Sequence, residues 1–224
     1  NTIFYSLTAS IGNLIVKENY ERRYQIFEIM QSVSLIMTTF CLTCLRFLQE
    51  DFIRLWLGKE FLLDRLVLYA MLTNFYFSII LMPIWVFREA TGLYQKTKYV
   101  MLMTALINVI VSIILGQYLG LAGIIFATSI SRLVTYFWYE PFLLFKQYFG
   151  KSCLTYFYGI IKSIITTGIV FAVAYFATAF IKVDNWFWFF LKAILVGSIS
   201  LALVLIIYHR TEGFQLLKER TINI

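Results

Sequence analysis

Charge is scarce in this chain. Only 14% of its residues are Asp, Glu, Lys or Arg, against about 25% in soluble domains. Proline is scarcer, with two in 224 residues, and glycine numbers 11. The short alternating segments of an outer-membrane barrel are also absent, so apolar blocks that cross a bilayer must do so as helices. A single histidine, His209, and three cysteines leave no metal-ligand spacing and no disulfide framework. Cys41 and Cys44 do form a C-x-x-C, but in the middle of an apolar helix they read as small residues at a packing face. The apolar blocks hold no paired carboxylates, which argues against an enzyme that needs a buried acid and base. No basic, apolar and small-residue succession of a signal peptide opens the sequence. The first residue is Asn1, and the chain reads as beginning inside something larger.

Apolar surface is what the chain has in abundance. It is 61% hydrophobic with a mean hydropathy of +0.80, and the apolar residues fall into blocks separated by short charged stretches. About 20 residues at 1.5 Å rise cross a ~30 Å hydrocarbon core. Complete spans are expected at Ile29 to Leu48, Leu66 to Phe87, Tyr99 to Leu119, Leu121 to Phe145, Tyr156 to Phe180 and Phe187 to Tyr208. A shorter block, Ile3 to Val16, reads as a truncated helix. The expected fold class is therefore all-α: a polytopic transmembrane helix bundle of about six complete helices plus one truncated N-terminal helix. Gly120, with Gly116 and Gly123 beside it, predicts a tight antiparallel hairpin between the third and fourth complete spans.

The loops divide by charge. One set holds Lys17, Arg22, Arg23, Arg88, Lys96, Lys98, Lys146, Lys151, Arg210, Lys218 and Arg220; the other holds Arg46, Arg54, Lys59, Arg65 and Lys182. The excess in the first set predicts that those loops, and the C-terminus, face the cytoplasm. The net charge of +7 then suits loops beside anionic lipid and does not call for nucleic acid. The outer loop Gln49 to Asp64, with Phe52, Ile53, Leu55, Trp56 and Leu57 among its charges, is expected to lie along the interface. Tyr and Trp near the span ends read as interfacial belts. Lys162 and Lys192, each a few residues inside a span, are expected to snorkel to the headgroups.

Polar side chains recur at helical spacing inside four spans: Gln31, Ser34, Thr38 and Cys41; Asn74 and Ser78; Thr104, Asn108 and Ser112; Thr128, Ser131, Arg132 and Thr135. Interhelical hydrogen bonding accounts for most Ser and Thr in such stripes. Arg132 demands more. It falls near the middle of its span, where burying an arginine costs about 2.5 to 3.5 kcal/mol on the insertion scale. Glu50, Asp51 and Glu140 lie at span ends, so an internal carboxylate partner is not expected. An anionic substrate, a carboxylate from outside this chain, or snorkelling would each answer the charge, and a guanidinium fork suits phosphate or pyrophosphate.

Several stretches, taken in order, resemble bacterial polysaccharide repeat-unit flippases. They are Ala9-Ser10-Ile11-Gly12-Asn13-Leu14, Phe52-Ile53-Arg54-Leu55-Trp56-Leu57-Gly58, and Pro83-Ile84-Trp85-Val86-Phe87-Arg88 to Gly92-Leu93. Asn108 and Ser112 with Gly120, Gly123, Thr128 and Ser131, followed by Glu140-Pro141, complete the set. The resemblance covers the chain to about residue 150 and places it in the multidrug/oligosaccharidyl-lipid/polysaccharide exporter superfamily. It implies one lobe of a MATE-like 14-helix transporter: a C-terminal transport lobe at 1–150, then two additional spans and a short tail at 151–224. It further implies a multi-pass protein of the bacterial cytoplasmic membrane that flips undecaprenyl-diphosphate-linked oligosaccharide units for O-antigen, capsule or a related polymer, with no covalent chemistry and no cofactor. The implied partners are the lipid-linked oligosaccharide, membrane lipids, and the polysaccharide polymerase and chain-length machinery. Arg132, Thr128, Asn108, Asn74, Gln31 and Ser112 are the residues expected to line the substrate cavity. An ion-coupled multidrug exporter of the same superfamily is the nearest alternative, and a membrane-embedded polymerase or acyltransferase, or a scaffold, stands behind it.

Overall fold

The computed structural model describes residues 8–222, and all its regular structure is helical. Helix α1, Thr8–Lys17, is the later part of the expected truncated helix; residues 3–7 of that block lie outside the described residues. Helix α2 spans Tyr20–Trp56, capped by the Asn19 side chain, which accepts from the Arg22 N–H at 3.0 Å. At 37 residues it is roughly 55 Å long, far more than one bilayer core. The expected span at Ile29 to Leu48 is only its middle.

The segment Gln49 to Asp64 does not lie flat as one interfacial loop, because its first half continues α2. Asp51 accepts from Lys192 and Arg54, each at 2.6 Å, and the Phe52 ring packs against Trp186 and Phe189. These contacts hold the end of α2 to the start of a later helix. Gly58 then turns the chain at φ +111°, a region closed to most side chains, where a Cβ would also crowd the Glu60 carboxylate. A short 3₁₀ turn, Lys59–Phe61, leads to Asp64, which caps α3 through the Leu66 N–H at 2.6 Å.

Helices α3, Arg65–Ile80, and α4, Met82–Ala90, occupy the expected second span, but they are bent by 41° at Leu81. Pro83 has no N–H to give the Ile79 carbonyl. The Ser34 hydroxyl of α2 donates to that carbonyl at 2.6 Å, as buried backbone in a membrane protein requires.

Helix α5, Tyr94–Val134, reverses at Gly120 (φ 57°, ψ −136°). Thr104 meets Thr135 at 2.6 Å, and Asn108 meets Ser131 at 3.4 Å and Thr128 at 3.3 Å. Residues that far apart in sequence touch only if the arms are antiparallel. Gly123 is required there, since a Cβ would collide with the Leu115 carbonyl. At Thr135 the chain leaves helical geometry (φ −117°, ψ −104°). The Thr135 N–H turns to the Arg132 carbonyl, and its hydroxyl takes up the Ser131 carbonyl at 2.6 Å. Helix α6, Tyr136–Leu144, continues into a wide turn, Phe145–Phe149. Helices α7, Leu154–Thr178, α8, Trp186–Tyr208, and α9, Glu212–Ile222, complete the chain.

Four helical stretches are long and apolar enough to cross a membrane, and α3 with α4 makes a fifth. One of the four, residues 94–149, doubles back at Gly120 and so presents two antiparallel arms. The chain is a multi-pass helical bundle of the kind membranes hold. Its loops gather at two ends: Lys151 reaches Glu21 at 3.2 Å and Lys96 reaches Gln147 at 2.9 Å at one, while Arg54 reaches the Val183 carbonyl at 2.8 Å at the other.

The core is aromatic. Phe27 of α2 meets Phe87, Phe145, Phe149 and Tyr156, with ring centroids 5.1 to 6.1 Å apart. Tyr156 and Tyr208 are fully buried here, unlike the interfacial place expected of tyrosines, because α7 and α8 pack directly on α2. The core therefore runs without a break across residue 150.

Candidate functional site

Polar groups inside the bundle separate into two kinds. Four hydroxyls along α2 are satisfied within the protein, two across helices and two within α2. Ser34 holds Ile79, Thr38 and Thr43 bond back to the carbonyls of Ser34 and Thr39, and Thr39 meets Thr167 at 3.0 Å. Thr38, Thr39 and Thr43 are fully buried. This is hydrogen-bonding glue.

Arg132 is the other kind. It stands twelve residues beyond the Gly120 turn, roughly 18 Å at 1.5 Å per residue. Its Nη1 donates to Asn74 Oδ1 at 3.0 Å and Ser78 Oγ at 2.8 Å, both on α3, and its guanidinium lies 5.6 Å from the centre of the Trp85 ring. The guanidinium also faces the Tyr136 hydroxyl. No carboxylate pairs with Arg132 among the described residues. Neutral oxygens and an aromatic face orient such a cation without cancelling its charge.

Beside Arg132 is an open recess of about 230 Å³, lined by Thr104, Asn108, Thr128, Ser131 and Tyr136 with apolar neighbours. Of the residues expected in a cavity, Arg132 and Asn74 touch each other, and Asn108 and Thr128 share this recess and bond to one another. Ser112 lies one turn beyond Asn108 and does not line it. Gln31 is elsewhere: it donates to the Tyr156 carbonyl at 3.3 Å and lines a different recess between α2 and α7. Ser78 and Trp85 complete the Arg132 cluster. Ser78, four residues from Asn74, carries a periodic signal in the sequence; Trp85, across the bend at Leu81, carries none.

Two other cations inside the bundle, Lys192 and Arg88, are neutralised. Lys192 does not snorkel. Its ammonium meets Asp51 at 2.6 Å, with both side chains under 15% exposed. Glu140, placed at a span end by sequence, is 2% exposed and accepts from Arg88 at 2.8 Å. Its Oε2 and the Arg88 Nε have no partner among the described residues. Hydropathy could not reveal this pair, because Arg88 and Glu140 lie on separate helices, α4 and α6.

The arrangement can orient an anion; its lining holds no carboxylate, histidine or cysteine, and no metal-ligand cluster occurs among the described residues. No family model, no curated protein and no solved structure matches the chain.

Proposed function

We propose that this chain is one lobe of a flippase that moves lipid-linked oligosaccharide diphosphates across the cytoplasmic membrane, with Arg132 on the path of the diphosphate. The observation that carries the reading is an arginine deep in a span whose protein partners are neutral. Keeping such a charge unpaired is costly, and a passing diphosphate would complete its hydrogen bonding bidentately. Asn108 and Thr128, in the adjoining recess, would meet sugar hydroxyls. The resemblance of the stretches up to residue 150 to repeat-unit flippases supplies the substrate class, and the loop charges support a cytoplasmic C-terminus. Transport would need a second lobe rocking against this one.

The test is complementation. The full-length protein is placed in a strain lacking its own repeat-unit flippase, with Arg132→Ala beside it, and surface polymer is measured at equal membrane expression. Restoration by the wild type alone is the expected result. Unchanged polymer with Arg132→Ala would leave the arginine a structural role.

One observation favours the ion-coupled exporter as a second reading: Glu140 is a buried carboxylate with one unpartnered oxygen among the described residues. That reading expects cation-dependent drug resistance, lost in Glu140→Gln, and no polymer phenotype.

A further inference from the structure

A larger recess, about 700 Å³, opens at the end of the bundle where α2 and α7 begin and α8 ends. That volume falls within the range of sites for small molecules and headgroups. Glycine builds it. A Cβ on Gly213 would run into the Glu28 carbonyl and the Ser32 hydroxyl, so only glycine lets the first turn of α9 lie against α2. Gly159 likewise leaves room for Gln31, whose amide nitrogen would be 3.0 Å from a Cβ there.

The lining carries charges of both signs: Lys151, Lys162 and Arg210 with Glu28 and Glu212. Helices α2 and α7 run parallel, since Tyr24 meets Thr155 at 3.3 Å, Gln31 meets Tyr156 at 3.3 Å and Thr39 meets Thr167 at 3.0 Å. In this register Lys162 starts more than one helical turn deeper than Glu28, roughly 9 Å at 1.5 Å per residue. At the base, the Lys162 ammonium lies 5.4 Å from the centre of the Tyr208 ring and has no ion pair among the described residues. Tyr208 is 1% exposed and lines the recess; its hydroxyl is not within bonding distance of a partner among those residues, and the Ser163 and Thr166 hydroxyls are its neighbours. Nearer the mouth, Glu28 and Glu212 have no ion pair among the described residues, although Arg210 and Lys151, the latter engaged by Glu21 at 3.2 Å, line the same recess.

Lys162 outside any ion pair calls for an anion, and Glu28 and Glu212 outside any ion pair call for a cation. A phospholipid headgroup presents them in that order, its phosphate nearer the hydrocarbon and its amine toward water. We propose that this recess binds the headgroup of an aminophospholipid, with the phosphate on Lys162 and the Tyr208 hydroxyl and the primary ammonium facing Glu28 and Glu212. The acyl chains would leave over the exposed apolar side of α7, at Ile161 and Ile165. This site is separate from Arg132 and does not rest on the transport reading.

Lipid titration of the purified full-length protein in detergent, read as thermal stabilisation, tests the site with phosphatidylethanolamine, phosphatidylcholine, phosphatidylglycerol and inorganic phosphate. Phosphatidylethanolamine should bind about tenfold tighter than phosphatidylcholine, because a charge-assisted hydrogen bond is worth about 1.5 kcal/mol or more and a quaternary ammonium cannot donate one. Lys162→Gln should weaken phosphatidylethanolamine about tenfold, with Lys162→Arg restoring it. Glu28→Gln should remove the preference over phosphatidylglycerol while leaving phosphatidylglycerol binding intact. Equal stabilisation by phosphatidylcholine would overturn the proposal, and so would a Lys162→Gln protein that responds as wild type. Stabilisation by inorganic phosphate as strong as by the lipid would make the base a free-phosphate site and end the headgroup assignment. Should Lys162→Gln fail to fold, the wild-type preference among the three lipids still decides.

Discussion

Arg88 and Arg132 carry the same guanidinium in two parts of one bundle, and their surroundings treat it differently. Arg88 meets the Glu140 carboxylate at 2.8 Å in a packed interior where Glu140 is 2% exposed. Arg132 meets an amide oxygen, a hydroxyl and an indole face beside an open recess. In the first place charge is cancelled, and the result is a strut between α4 and α6. In the second the charge is aimed and left uncancelled. The difference separates a cation that holds two helices together from one that no carboxylate meets among the described residues.

The contrast can be broken most directly at Glu140. Glu140→Ala leaves Arg88 buried without its counter-charge and should lower stability by about 3 to 5 kcal/mol, the usual penalty for half a buried pair. Thermal unfolding in detergent would measure it, and the double variant Arg88→Met with Glu140→Met should recover most of the loss. Arg132→Met should behave in the opposite way. It forfeits two hydrogen bonds to neutral groups, at about 0.5 to 1.5 kcal/mol each, but it also removes an unpaired charge that costs about 2.5 to 3.5 kcal/mol to keep in a span. Its unfolding midpoint should match or exceed wild type while surface polymer is lost. A large stability loss with Arg132→Met would place it beside Arg88 as a strut.

Lys192 tests the same contrast at the far end of α2. Lys192→Met still leaves Asp51 paired with Arg54 at 2.6 Å, so the cost should be near ~1 kcal/mol, well below the Glu140 effect. Smallest of all should be Ser34→Ala. The freed Ile79 carbonyl loses one interhelical hydrogen bond, worth about 0.6 kcal/mol on average in membrane bundles. A softer bend at Leu81, seen as faster hydrogen exchange in α4, would accompany it.

Much of the candidate site is legible in the order of residues alone. Arg132 stands out because a charge in an apolar run is costly, and Asn74 and Ser78 stand out because they recur at helical spacing. Gln31 follows the same rule and lies elsewhere, since spacing marks a face without saying which helix that face meets. Lys192 is ambiguous in sequence for the same reason: a long cationic stem near a span end suits both snorkelling and an ion pair, and only the approach of Asp51 selects the pair. The bend at Leu81 has its cause in Pro83, but the partner that makes the freed carbonyl tolerable is Ser34, 49 residues earlier.

Hydropathy, the lengths of the apolar stretches and a glycine at a turn are local properties, and they suffice to dictate the all-helical character, the positions of the apolar stretches and the reversal at Gly120. Which cations are neutralised, which tyrosines are buried and which polar stripe opens on a recess depend instead on tertiary packing. Those outcomes are set by the rotation and register of one helix against another, and side chains far apart in sequence must meet within about 3 Å for a hydrogen bond to exist.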